Sequence, residues 1–141
     1  MNLKDEILRG IFSYGFETPS SIQKKAILPM IKGYDLVAQA QSGTGKTGTF
    51  TIGALQNVDI QHNKPQILIL SPTRELSMQT NKVIQEIGKY MDITSYACIG
   101  GTNLKTCVNE LKKGKQIIVG TPGRIYAVSY THLTLPTIYS V

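Results

Sequence analysis

Apolar positions in this chain follow two alternating rhythms. Leu3, Ile7, Leu8, Ile11 and Phe12 recur at the spacing of one helix face, and Asp5 and Glu6 stand in the first turn, where the helix dipole favours carboxylates. Thr18-Pro19 predicts a cap and first residue for a second helix running towards Gly33, with Pro29 kinking or shortening it. Further helices are predicted from Gly45 onward (Phe50, Ile52, Leu55, Val58), after Pro72 (Leu76, Val83, Ile84, Ile87), and over Leu104, Cys107, Val108 and Leu111 up to Gly114. Four short apolar runs read as strands: 36–40, 67–71, 95–99 and 116–120. Apolar strands alternating with helices predict βαβ units and an α/β fold with a parallel sheet. Ligands of such sheets gather at the carboxyl ends of the strands, so the chemistry is expected just after each strand.

Composition narrows the picture only a little. A chain of 141 residues, 41% apolar and 17% charged, fits one globular domain and argues against disorder, collagen or a disulfide scaffold. No apolar run approaches the roughly 20 residues of a bilayer span, and no charged-then-apolar leader is read at the start, so no membrane partner is expected. Cys98 and Cys107 read as two reduced thiols, consistent with a cytoplasmic or nuclear protein; neither has a second Cys or a His at metal-ligand spacing. Fifteen basic against nine acidic residues leave a net charge of +6. That balance suits a nucleic-acid partner and equally suits a protein with surplus surface lysines. Lys112, Lys113 and Lys115 cluster as a solvated helix end.

After the first predicted strand comes Ala40-Gln41-Ser42-Gly43-Thr44-Gly45-Lys46-Thr47, which fits G-x-x-x-x-G-K-[ST] except that Ala40 stands at the first glycine. Each residue type answers a need of polyphosphate binding. Glycines let main-chain N–H groups turn inward around the β- and γ-phosphates, Lys46 brings a point charge, and the Thr47 hydroxyl can ligate Mg²⁺. The helix that follows aims its positive end at the same anion. A glycine turn with a surface lysine is the bland alternative, which the setting between a strand and a helix argues against. The pattern specifies a nucleoside triphosphate; the chain has no N-K-x-D segment for guanine.

Three further segments narrow the class. Gly15-Phe16-Glu17-Thr18-Pro19-Ser20-Ser21-Ile22-Gln23 resembles the Q motif of DEAD-box RNA helicases; Pro72-Thr73-Arg74-Glu75-Leu76 with Gln79 resembles their motif Ia; Thr121-Pro122-Gly123-Arg124 resembles motif Ib. Gly100-Gly101 matches the glycine doublet between the last two, and residues 40–47 serve as motif I. Each piece is weak alone; in this order they are specific. The segments Leu8-Arg9-Gly10-Ile11 and Ala97-Cys98-Ile99-Gly100-Gly101-Thr102-Asn103 are similar to the translation-initiation helicases and their exon-junction relatives.

The resemblance implies an incomplete parallel-sheet P-loop NTPase, the first RecA-like helicase domain, over residues 1–128, with the Q motif at about 1–24. It implies that Phe16 stacks on adenine and Gln23 hydrogen-bonds its edge, making ATP with Mg²⁺ the cofactor. It also implies that Pro72, Thr73, Arg74, Gly100, Gly101, Thr121, Pro122, Gly123 and Arg124 hold single-stranded or duplex RNA by its backbone. Taken singly, Gln23 reads as an exposed helix glutamine, Arg74 with Glu75 as a surface ion pair, and Thr121 as a helix cap.

The family's D-E-A-D and S-A-T segments do not occur in the chain, and no Asp or Glu follows Glu110. Phosphoryl transfer depends on positioning and charge stabilisation, so no complete catalytic set is expected and this chain alone is expected to be inactive. In the family's sheet the strands carrying those segments lie between the phosphate-loop strand and the motif Ia strand, so the isolated chain is expected to be marginally stable or rearranged, and aggregation-prone at its exposed edges. Residues 129–141 match nothing in the family pattern and read as an unrelated, artefactual tail. Two other readings stand beside the helicase: an ATP- and RNA-binding fragment without turnover, and an unrelated phosphate-loop ATPase, which the helicase motifs disfavour. Scaffold proteins of the initiation or exon-junction type are the protein partners the resemblance implies for a full-length form.

Overall fold

The computed structural model describes residues 3–41, 45–101, 103–132 and 138–140, with side chains at 130–132 and 138–140 left aside. Its elements run α1 (Asp5–Tyr14), α2 (Ser21–Ile31), α3 (Lys46–Asn57), β1 (Ile67–Leu70), α4 (Arg74–Ile87), β2 (Ser95–Cys98), α5 (Leu104–Lys112), β3 (Ile117–Gly120), α6 (Pro122–His132) and β4 (Ile138–Ser140). The chain divides into two compact units, one formed by Met1–Val58 with Val83–Asp92 and the other by Asp59–Lys82 with Ile93–Val141.

The first unit is helical. Its core is Ile7 from α1, Ala26, Ile27 and Met30 from α2, Ile52, Ala54 and Leu55 from α3 with Val58 beyond it, and Ile84 and Ile87 from the end of α4. Fully burying each large aliphatic side chain stabilises by about 1.5–3 kcal/mol before entropy is counted. The helices approach closely because a glycine stands at the crossings: a Cβ on Gly53 would meet the Met30 side chain, and one on Gly10 would strike the Ile87 carbonyl. The chain enters α1 through Lys4, whose backbone N–H donates to Gln56 Oε1 and whose Nζ donates to the Val58 carbonyl, both at 2.9 Å.

Three expectations for this unit need correction. The buried face of α1 centres on Ile7 and Gly10, leaving Phe12 64% exposed. The second helix begins at Ser21 with Ser20 as its cap, because Ser20 and Gln23 form a reciprocal capping box that Thr18-Pro19 does not provide. As expected, Pro29 shortens this helix: it lies in the last turn and α2 ends two residues later, at Ile31. The largest departure is the predicted strand 36–40. It pairs with no strand among the described residues, and Leu36 and Val37 are 42% and 100% exposed. A strand needs a neighbour to take its N–H and C=O groups; without one, its backbone stays in water.

The second unit carries the sheet, in the order β2-β3-β1-β4 with every neighbouring pair parallel. Ile67 pairs with Ile117, and Ser95 pairs with Ile117 from the other side. Three of the four predicted strands are therefore present within a residue of their expected ends. β4, in the segment read as a foreign tail, was outside that expectation; it adds to the free side of β1, with Leu68 opposite Ile138. Leu68, Ile118 and Cys98 form one apolar cluster with Cys107 and Leu111 of α5 and Ile125 and Val128 of α6. The amino ends of the strands are tied by Gln116, only 2% exposed. Its Oε1 accepts from Thr94 N at 3.0 Å, and its Nε2 donates to the carbonyls of Ile60 and His62 at 3.2 and 3.3 Å.

Candidate nucleotide and RNA sites

The candidate nucleotide residues lie in the first unit. Gly45 caps α3 in the left-handed conformation, φ 89°, and no side chain caps that helix. The N–H groups of its first turn are thus available to an anion, as a phosphate-binding helix requires. Lys46 opens the helix and is exposed; Thr47 is half-buried. Ala40 and Gln41 precede the loop, and Ser42, Gly43 and Thr44, the middle of the predicted cradle, lie outside the described residues. α3 therefore follows the loop as expected, whereas the strand expected before it is absent.

The segment read as the Q motif folds directly onto the exit of this loop. Ser20 N donates to Gln23 Oε1 at 2.9 Å, Gln23 N donates to Ser20 Oγ at 3.4 Å, and Gln23 Nε2 donates to the Gly45 carbonyl at 3.4 Å. Gln23 is 4% exposed, which overturns its bland reading as an exposed helix glutamine. An amide has two lone pairs and two N–H bonds, so each end keeps one partner position beyond these contacts. A Cβ on Gly45 would crowd Gln23 Nε2 at 2.8 Å, and one on Gly48 would meet the Phe16 ring at 2.9 Å. Phe16 also packs edge-on to Tyr14, with ring centroids 5.0 Å apart. Phe16, Thr18, Gln23, Ala40 and Gly45 share the wall of one cleft of about 550 Å³, within the usual range of small-molecule sites.

The candidate RNA residues lie in the second unit, at the carboxyl ends of its strands. Pro72, Thr73 and Arg74 follow β1 and are exposed. Thr73 caps α4: its Oγ1 accepts from Leu76 N at 3.2 Å, and its carbonyl takes Ser77 N and Ser77 Oγ, each at 3.1 Å. The Thr73 O–H remains able to donate. Arg74 Nη1 donates to the Gly100 carbonyl at 3.1 Å, which joins motif Ia to the glycine doublet after β2 and sets aside the Arg74–Glu75 surface-pair reading. After β3, Thr121 is half-buried and its carbonyl accepts from Ile125 N at 3.0 Å, while Pro122 and Gly123 are exposed. Arg124 turns Nη1 into a buried position without a hydrogen-bond partner. An orphaned guanidinium N–H is costly unless an acceptor reaches it.

Two glycines here have no internal reason for their identity. A Cβ on Gly100 or on Gly123 would meet nothing within 4 Å, and neither has positive φ. Gly101 differs, with φ 90° and the Arg74 guanidinium in the space that a Cβ would need. Cys98 and Cys107 are buried and form no disulfide, and burial together with the neighbouring Cys107 pushes the Cys98 thiol up to about 12. No group of three or more His, Cys, Asp or Glu that could hold a metal is found among the described residues, nor is any helix there long and apolar enough to cross a membrane. The capping role of Ser20 went unread, although S-x-x-Q before an apolar run signals it.

Comparison with known proteins agrees with this arrangement. The DEAD/DEAH box helicase family model matches residues 20–137. The ATP-dependent RNA helicase eIF4A of Yarrowia lipolytica is 60% identical over 126 residues, 89% of this chain and 32% of that protein. Eukaryotic initiation factor 4A of Dictyostelium discoideum is 56% identical over 137 residues, 97% of this chain and 34% of the relative. Among solved structures, a DEAD box protein from the hyperthermophile Methanococcus jannaschii has a TM-score of 0.84 at 37% identity, covering 89% of this chain and 34% of that one. S. cerevisiae Dbp5 bound to RNA and ADP BeF3 has a TM-score of 0.80 at 37% identity, covering 92% of this chain and 32% of that one. The chain spans about a third of the length of the curated relatives it matches. With a parallel α/β sheet and a family match over most of its length, this chain belongs to the DEAD/DEAH box helicase family.

Proposed function

We propose that this chain is a portion of the first lobe of an ATP-dependent RNA helicase, binding ATP in its first unit and the RNA backbone in its second. The observation that carries the nucleotide half is the buried Gln23 amide, held between Ser20 and Gly45 on the wall of a cleft it shares with Phe16. That amide offers one acceptor and one donor, which matches the exposed edge of adenine and mismatches guanine. Phe16 supplies the stacking face. The uncapped first turn of α3 and Lys46 hold the phosphates, with residues 40–47 as the loop. Thr47, at the second position of α3, is the hydroxyl ligand for Mg²⁺, which when bound neutralises phosphate charge.

The RNA half rests on three strand-to-helix turns that present Thr73, Gly100-Gly101 and Thr121 through Arg124. Open space at Gly100 and Gly123 admits a close-lying backbone, and the orphaned Arg124 N–H suits a phosphate oxygen. Binding is therefore sequence-independent, to single-stranded or duplex RNA. In the whole protein ATP closes two lobes on RNA and unwinds a duplex, in the cytoplasm or nucleus, with initiation or exon-junction scaffolds as protein partners. This chain alone, lacking D-E-A-D and S-A-T, binds without turnover. Residues 129–141, free of Asp, Glu, Lys and Arg, are an addition foreign to the domain, although the family match runs on to residue 137. The nucleotide sequence beyond the Val128 codon in an independent transcript tests that boundary.

The decisive experiment measures binding of fluorescent ATP and GTP to the chain, to Gln23→Ala and to Lys46→Ala. ATP should bind better than GTP, Gln23→Ala should abolish the preference, and Lys46→Ala should weaken both. Equal affinity for the two nucleotides in the unmodified chain would remove the reading.

A further inference from the structure

β1 has two edges with unlike neighbours. On one side Ile67 N donates to the Gln116 carbonyl at 3.2 Å and Ser71 N donates to the Gly120 carbonyl at 2.9 Å, which fills that edge with β3. Successive N–H groups of a strand point to opposite sides, so those of Ile67, Ile69 and Ser71 face β3 while those of Leu68 and Leu70 face the other edge. Leu68 is buried and Leu70 half-buried, and no charged residue stands between Lys64 and Arg74 to guard that edge. Along it lies β4, parallel, with Leu68 opposite Ile138, Ile69 opposite Tyr139 and Leu70 opposite Ser140. The crossover β3–α6–β4 carries the chain past β1 to reach this place. The whole stretch Ile125–Val141 has no Asp, Glu, Lys or Arg, and β4, at three residues, is short enough to expose little edge of its own.

We propose that the outer edge of β1 is a strand-acceptor site for an extended, uncharged polypeptide lying parallel to it, and that residues 138–140 of the same chain occupy it, which keeps β1 from pairing with another copy. The ligand groups are main-chain N–H and C=O, as in any added strand, so the site asks for an extended backbone and tolerates change of side chain. A segment foreign to the domain can therefore serve. Without it the N–H groups of Leu68 and Leu70 lose their partners beside an apolar core, and a bare edge of that kind recruits further chain. The proposal goes beyond the nucleotide and RNA readings: every group it uses is main chain, and neither binding result bears on it.

Alternation along β1 supplies the test with an internal control. Amide exchange of Leu68, Ile69 and Leu70 is followed in the 141-residue chain, in Ile138→Pro/Tyr139→Pro and in Ile138→Val/Tyr139→Val, with 117–119 in β3 as the folded reference. Light scattering over a concentration series reads self-association of the same three proteins. In the unmodified chain and the valine variant, Leu68 and Leu70 should exchange as slowly as Ile69, because valine keeps a strand-forming backbone. In the proline variant those two amides should exchange at least about tenfold faster, with Ile69 and 117–119 unchanged, and association should begin at lower concentration. Exchange at the rate of open chain for Leu68 and Leu70 in the unmodified protein overturns the proposal without recourse to a variant. So does a proline variant that keeps both amides protected, or that associates no more readily than the unmodified chain. If the proline variant loses protection at Ile69 and 117–119 as well, the comparison within β1 of the unmodified chain decides.

Discussion

At the scale of single residues, two buried amides do unlike work. Gln23 spends its hydrogen bonds on the Ser20 cap and the Gly45 carbonyl, so Gln23→Ala should lower the melting stability of the helical unit by about 1 kcal/mol, the usual cost of losing a cap, besides its effect on ATP. Gln116 joins three segments of the sheet unit and touches no candidate ligand residue. Gln116→Ala leaves the half-buried Thr94 N–H without its side-chain acceptor and removes a donor from the Ile60 and His62 carbonyls, and should cost about 1–2 kcal/mol in denaturant unfolding, with nucleotide affinity unchanged. The Cys98 thiol is pushed from 9.0 to about 12, first by burial and then by Cys107. Its unfolded form loses the proton first, so the stability this thiol contributes is complete below about pH 9 and drains away as pH climbs towards 12. A urea midpoint that falls over that interval, and falls less in Cys98→Ala, is the expected result.

At the scale of elements, the sequence reading succeeded where a segment carries its own partners. β1, β2 and β3 are apolar runs that find one another, and α5 buries Cys107 and Leu111 of its predicted face, leaving Leu104 at the exposed start, and ends beside Gly114 in a left-handed turn. The reading failed at 36–40, where the run is apolar but a ladder is a relation between segments, and periodicity cannot say that the neighbour is missing. It also missed Ser20, because Thr18-Pro19 is the louder local signal while the capping box needs a side chain three residues on. The motif residues were legible as a set, yet the direction of Arg74 was not, since nothing at position 74 announces a carbonyl 26 residues away. Hydrogen exchange checks the element picture. Amides of 36–40 should exchange at the rate of open chain, and those of 117–119 should be the slowest in the sheet.

At the scale of the whole chain, binding and turnover come apart. The candidate ligands for base, phosphates and RNA backbone are here, while the carboxylates that would order a metal and a water are absent from the chain. ATP hydrolysis by the purified chain should equal that of buffer, with or without RNA; phosphate release abolished by Lys46→Ala would show that a catalytic carboxylate set is dispensable. The bare ribbon at Leu36 and Val37 has a consequence beyond the test tube. Short greasy stretches in extended form are what chaperones and proteases seize, so a cell making this polypeptide should keep it scarce, and its abundance should climb when Val37 is changed to a threonine or when the proteasome is blocked.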